Sequence, residues 1–316
     1  MMKRTLAIMI TVAAAFLFLS FITRKKEPVP KAAIRTLIID AGHGGIDPGA
    51  RGSFSTEAEV SLSVALKFGK AVEKEFPDLK IVYTRTEDIM AGNKKNKDDG
   101  NRYRADLANK SGGDLFIAIH CNSAPDQKHR ELTGYKNQTV YVGKGKKRRK
   151  VTRKVPQYRY WTTPSVAKGT ETYIWAVGKN DAKVNSVNKN EDYEGEIDST
   201  STLKLPDPSD PTEKARMLIY AQQFFKKSLN LADLIEKEFI AGGRNSRGVK
   251  QRNHTGIWVL QATGMPSVLV EIGFISNPEE EKYINSDKGQ DEIVEALINA
   301  FRTYKQKVES KQITTG

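Results

Sequence analysis

Three short apolar runs punctuate the chain, and each ends at a residue able to bind a metal or move a proton. Leu37-Ile38-Ile39-Asp40-Ala41-Gly42-His43-Gly44-Gly45 ends at a histidine set among glycines, and Asp114-Leu115-Phe116-Ile117-Ala118-Ile119-His120-Cys121-Asn122 ends at a second histidine. Pro266-Ser267-Val268-Leu269-Val270-Glu271-Ile272-Gly273-Phe274 carries a carboxylate at the same place. Short apolar runs bounded by Gly read as buried strands of a parallel or mixed sheet, and ligands of open α/β sheets collect beyond the carboxyl ends of such strands. The glycines beside His43 let the backbone turn sharply there.

Between the strands the pattern changes to helical spacing. Thr56 with Glu59 three residues later forms a capping box, so a helix starts there and runs to about Phe76, before Pro77. Glu57 has no capping duty; it lies three and seven residues before Val60 and Val64, on the face this helix buries. A strand follows near 80–85, then a polar loop over 93–101 and a helix over 102–110 leading into the His120 strand. Beyond Ala124 the pattern dissolves until about Thr212. Residues 125–212 read as a partly ordered insertion beside the site, with a strand at 171–177 and His129 in an exposed loop at its start. A long amphipathic helix spans 212–239, its face marked by Met217, Leu218, Ala221, Phe224, Phe225, Leu229, Ala232 and Ile235, and Gly242-Gly243 ends it. His254 faces either the site or solvent. Helices at 279–284 and 291–308 close the chain. The expected fold class is therefore α/β: one catalytic domain over 31–312, a mixed, largely parallel sheet flanked by helices, interrupted by the long insertion.

The first thirty residues stand apart. Lys3 and Arg4 precede an uncharged run from Leu6 to Ile22, then Arg24-Lys25-Lys26 and a Pro-rich linker. This reads as a signal peptide or a membrane anchor, which sends the protein to the periplasm or cell envelope, free or tethered to the inner membrane. The single cysteine, Cys121, forms no intramolecular disulfide and reads as a small packing residue. The net charge of +13 raises the question of nucleic acid. Its distribution points elsewhere, because 132–170 contains no acidic residue while basic residues crowd into it. The excess is local, and an exported protein meets anionic envelope polymers, so no nucleic-acid partner is expected.

Two of the four histidines sit at strand ends, and with Glu271 they make a set suited to zinc hydrolysis. Glu57, a carboxylate on a buried face, needs a partner, and a metal held by His43 and His120 supplies one; its alternative role is a first-turn acid favoured by the helix dipole.

Taken together, Ile38 to Gly45 with Asp47-Pro48-Gly49-Ala50, Glu57-Ala58-Glu59-Val60, Asp114 to Asn122 and Pro266 to Asn277 resemble the zinc-dependent N-acetylmuramoyl-L-alanine amidases of the type-3 class. The resemblance covers 34–124 and 212–305. It implies zinc bound by His43, Glu57 and His120, with Glu271 as the catalytic carboxylate. It also implies cleavage of the amide between the lactyl group of N-acetylmuramic acid and L-alanine in peptidoglycan, for wall remodelling and daughter-cell separation. Family members of cell division often carry an inhibitory helix in the region of the insertion. Glu191 is similar in position to the acidic part of such elements, which makes it a candidate regulatory residue and a protein activator acting on the insertion a candidate partner. The basic run has no counterpart in the resemblance. Two other readings share the motifs: a non-catalytic peptidoglycan- or polyanion-binding envelope protein on the same fold, and another zinc peptidoglycan hydrolase.

Overall fold

Alternation along the buried strands sorts their side chains to two sides of one sheet. The computed structural model describes residues 34–175, 209–219, 223–251 and 257–310. The apolar run at 6–22, Glu191 and His254 lie outside the described residues. In chain order the strands are β1 (Thr36–Ala41), β2 (Lys80–Tyr83), β3 (Leu115–Asn122), β4 (Gln127–Val142), β5 (Arg149–Thr163), β6 (Thr170–Ile174), β7 (Ser246–Gln251) and β8 (Ser267–Phe274). Six of them form a sheet in the order β2-β1-β3-β8-β6-β7. Its pairings are parallel except for β6 against β8, which makes the sheet mixed and largely parallel.

The helices are α1 (Glu57–Glu75), α2 (Lys97–Lys110), α3 (Pro211–Ile219), α4 (Phe225–Ala241), α5 (Trp258–Ala262), α6 (Pro278–Asn285) and α7 (Asp287–Glu309). Leu37, Ile39, Ile117, Ile119, Val268 and Val270 point to one side and pack with α1, α4 and α7. Each such side chain contributes about 1.5–3 kcal/mol when fully buried. Ile38, Phe116, Ala118 and Leu269 point to the other side, where α2 and α5 give a smaller cover. The same alternation places Asp40, His120 and Glu271 on this second side, in the carboxyl-terminal halves of their strands.

Several elements differ from the sequence expectation. The helix expected over 102–110 begins at Lys97, because the Asn96 side chain accepts a hydrogen bond from the Asp99 amide and caps it. Polar residues and Gly100 hide this first turn from an apolar-period reading; a Cβ at Gly100 would meet the Met90 sulfur at 2.4 Å, so the Met90 side chain would have to move. The last helix starts at Asp287, four residues early, capped by Ser286. In the helix expected over 212–239, α4 buries Ala232 and Ile235 as anticipated, together with Leu231, Leu234 and Phe239, whereas Leu218 on α3 is exposed.

Among the described residues, the expected insertion contains a hairpin and a strand of the central sheet. Its first part is a long antiparallel hairpin, β4 with β5. The strand expected at 171–177 is β6, and it belongs to the central sheet, between β8 and β7. Its polar composition is compatible with burial because Thr170 and Thr172 donate through Oγ1 to the Glu236 carboxylate on α4, at 3.0 and 2.6 Å. His129 is a correction too. It sits in β4, stacked on Trp161 with ring centroids 5.3 Å apart and hydrogen-bonded to the Thr163 hydroxyl at 2.8 Å, not in an exposed loop.

Candidate metal centre and active site

His43 is delivered by the turn that ends β1. The Gly44 and Asp47 backbones exchange hydrogen bonds of 2.8 and 3.2 Å, and His43 itself takes a left-handed φ of 58°. That conformation is unusual outside glycine and is retained where a site requires it. Nδ1 of His43 lies 2.8 Å from Oδ2 of Asp47, so a proton on Nδ1 points to the carboxylate and Nε2 is presented to the site. Gly42 has a different task. A Cβ there would sit 2.4 Å from the His120 ring, so only glycine lets β1 and the imidazole approach this closely.

Glu57 comes from the first turn of α1. The capping box is formed as expected, with the Thr56 amide donating to Oε2 of Glu59 at 2.8 Å, and this leaves Glu57 for other work. Its Oε2 accepts from the Ala50 amide at 2.9 Å, which fixes the carboxylate. Oε1 then lies 3.0 Å from Nε2 of His43 and 2.8 Å from Nδ1 of His120. His43, Glu57 and His120 each offer one atom that could bind a metal, and these atoms lie within 4.8 Å of one another.

This donor set fits a metal cation. Burial opposes charge on His43, yet Glu57 and Asp47 outweigh it and raise the imidazole to about 10. Burial likewise opposes the Glu57 carboxylate, but His43 and His120 hold it well below the usual carboxylate range. The Glu57 and Asp47 carboxylates thus favour positive charge at His43. Two imidazoles and one carboxylate, with the carboxylate nearly buried, match a catalytic zinc site that keeps a position for water.

Glu271 on β8 stands opposite His120 on β3 in the parallel register, on the same side of the sheet and about 4.8 Å away strand to strand. It is 8% exposed. The next strand places Glu171 opposite Glu271. Glu171 accepts from Asn122, Tyr173 and Arg247 at 2.9, 2.6 and 2.6 Å. Below the site two buried arginines collect the carbonyls of the β1 turn. Arg104 pairs with Asp40 and donates to the carbonyls of Ala41 and His43. Arg85 donates to Ala41 at 3.0 Å and to Gly42 and Ala58 at 2.7 Å, so it ties the turn to α1.

The structure thus brings together His43, Glu57, His120 and Glu271. His129 is in the hairpin, and Glu191 and His254 lie outside the described residues. Sequence reasoning assigned no role to Asp47, Arg85, Arg104 or Glu171. Asp47 alone had a signal, four residues after His43 in a turn-rich segment. Cys121 packs in the larger hydrophobic cluster, as the small packing residue expected, and burial and then nearby carboxylates push its thiol well above the ordinary value.

A family model described as N-acetylmuramoyl-L-alanine amidase matches residues 37–303. An uncharacterized cell wall amidase of Bacillus anthracis is 24% identical over 271 residues, covering 85% of this chain and 35% of that protein. The N-acetylmuramoyl-L-alanine amidase AmiC of Escherichia coli is 26% identical over 272 residues, covering 85% of this chain and 52% of the relative. The chain thus spans about a third and about half of these two curated relatives. The crystal structure of an N-acetylmuramoyl-L-alanine amidase from Clostridium difficile 630 shares the fold, with a TM-score of 0.52, 21% identity and coverage of 86% of this chain and 97% of that one. With the match extending across most of its length, the chain belongs to the N-acetylmuramoyl-L-alanine amidase family.

Proposed function

We propose that the protein hydrolyses the amide between N-acetylmuramic acid and L-alanine in peptidoglycan, with zinc held by His43, Glu57 and His120. The observation that carries this reading is the convergence of those three side chains beside Glu271. Zinc held by these residues would supply a Lewis acid able to polarise a carbonyl and acidify water. Asp47 orients His43, and the Ala50 amide orients Glu57. Glu271 takes a proton from the attacking water and returns it to the departing nitrogen of L-alanine. Low exposure of Glu57 and Glu271 keeps these charge interactions strong. The N-terminal run Leu6 to Ile22 serves export or anchoring, so the work is done in the cell envelope.

The test is mass spectrometry of peptidoglycan digested by the zinc-loaded protein. Released stem peptides with a free L-alanine amine, together with peptide-free muramic acid, are expected. Cuts within the stem peptide would make it an endopeptidase, loss of acetyl groups a deacetylase, and an unaltered digest a binding protein.

A further inference from the structure

The β4–β5 hairpin contributes no residue to either hydrophobic cluster. Its 15-residue strand β5 spans about 50 Å at about 3.4 Å per residue. Such a length of exposed ribbon is not needed to fold the sheet. Residues paired across the hairpin share a face, and the register puts Tyr160 opposite Arg130, Tyr158 opposite Leu132, Tyr135 opposite Pro156 and Tyr141 opposite Lys150. Strand alternation places all four tyrosines on the same face. They are 37–69% exposed, where a packing tyrosine would be buried.

Cations are interleaved with these rings. The Arg130 guanidinium lies 5.3 Å from the Tyr158 ring centre and Arg148 lies 4.7 Å from that of Tyr141. Such contacts hold the rings in place and leave area free for a ligand. Flat apolar ring faces with neighbouring donors suit sugars, whose C–H faces stack on the rings, and the cations suit carboxylates carried along the same polymer. The hairpin also starts beside the candidate catalytic carboxylate. β3 ends at Asn122, whose side chain binds Glu171 opposite Glu271, and β4 begins at Gln127. That connection favours a ligand which is itself the substrate polymer over nucleic acid or lipid.

We propose that the hairpin is a substrate arm that binds the peptidoglycan glycan strand, with sugars on Tyr135, Tyr158 and Tyr160 and stem-peptide carboxylates on the interleaved lysines and arginines. The proposal rests on the muramoyl-amide reading above. Its test compares the full zinc-loaded chain with a Tyr135→Ala, Tyr158→Ala, Tyr160→Ala variant and with the corresponding three Tyr→Phe changes. Each is measured by co-sedimentation with purified sacculi and by hydrolysis of sacculi and of a soluble muramoyl dipeptide too short to reach the hairpin. The alanine variant should lose roughly tenfold or more in apparent affinity for sacculi. It should also hydrolyse them more slowly and cleave the dipeptide at the unaltered rate, while the phenylalanine variant behaves as the parent. Unchanged sedimentation of the alanine variant overturns the arm. So does binding that is abolished by salt yet indifferent to the tyrosines, or a preference for DNA or anionic phospholipid vesicles that sacculi do not compete away. Absence of hydrolysis of both sacculi and dipeptide by the parent would sink the amidase reading instead, and sedimentation would still decide the arm.

Discussion

Asp47 and Ala50 illustrate how much of a site lies behind its ligands. Each orients one candidate ligand: Asp47 fixes which nitrogen His43 presents, and the Ala50 amide fixes which oxygen Glu57 presents. Burial raises the Asp47 carboxyl, but His43 and Lys97 outweigh it and hold it at about 2, so it is ionised throughout the working range. Asp47→Asn keeps the shape and removes the charge behind the imidazole. Zinc affinity should fall about 10–100-fold, measured by chelator competition, with the fold unchanged by circular dichroism. Glu271→Gln should act on the other half of the reaction. It should leave zinc content intact and lower turnover about 10²–10⁴-fold, because an amide cannot take the proton. Near-parental turnover at full zinc would remove Glu271 from the mechanism. The sequence made His43, His120 and Glu271 legible because their chemistry contrasts with the apolar strands that carry them. It did not mark Arg85 and Arg104, whose roles arise only when distant segments meet. Asp40 and Arg104 are 64 residues apart, and no local pattern announces their pairing.

At the scale of elements, α6 decides where α1 begins. Glu281 in α6 is fully buried and accepts from the Ser53, Phe54 and Ser55 amides at 2.8–2.9 Å, which shapes the loop that delivers Thr56 and Glu57. Gly52 makes room, since a Cβ there would meet the Glu281 carboxylate at 2.1 Å. Replacing a charged acceptor under several amides costs about 2–3 kcal/mol, so Glu281→Gln should lower thermal stability by that order at neutral pH. Burial raises the Glu281 carboxyl, but the amides of Phe54, Ser53 and Ser55 win and the folded value lies below the ordinary 4.5. Its contribution is therefore present above pH 4.5 and lost as pH falls through the folded value. The stability gap between parent and variant should shrink on acidification, and a gap constant with pH would contradict the assignment. Strand β6 shows the limit of legibility at this scale. Thr-Glu-Thr-Tyr-Ile reads as a strand, but its place inside the sheet depends on Glu236 and Arg247, which lie far along the chain and satisfy its polar side chains.

For the whole molecule, the hairpin and the catalytic sheet separate charge from stability. Ten basic and one acidic side chain lie in 131–159, so excising that stretch lowers the formal net charge from +13 to +4. Neither hydrophobic cluster loses a member. Arg130 and Tyr160 are directly paired, so an Asn-Gly turn joining them closes a shorter hairpin in register and keeps the His129–Trp161 stack at its base. Loop shortening adds only small entropic terms, so the excised protein should melt within a few degrees of the parent. Zinc content should match as well, because His43, Glu57 and His120 are held by β1, α1 and β3 and by the arginines beneath them. Association with a carboxylate-bearing wall should change most. Exposed charges act over a Debye length of about 8 Å at physiological salt, so a parent carrying its excess on a projecting ribbon should bind sacculi with a steep salt dependence. The excised protein should show a shallow one. The measurement is sacculus binding across a salt series alongside a thermal melt. Equal salt slopes would place the wall-binding charge on the catalytic body, and a large fall in melting temperature would show that the ribbon supports the fold.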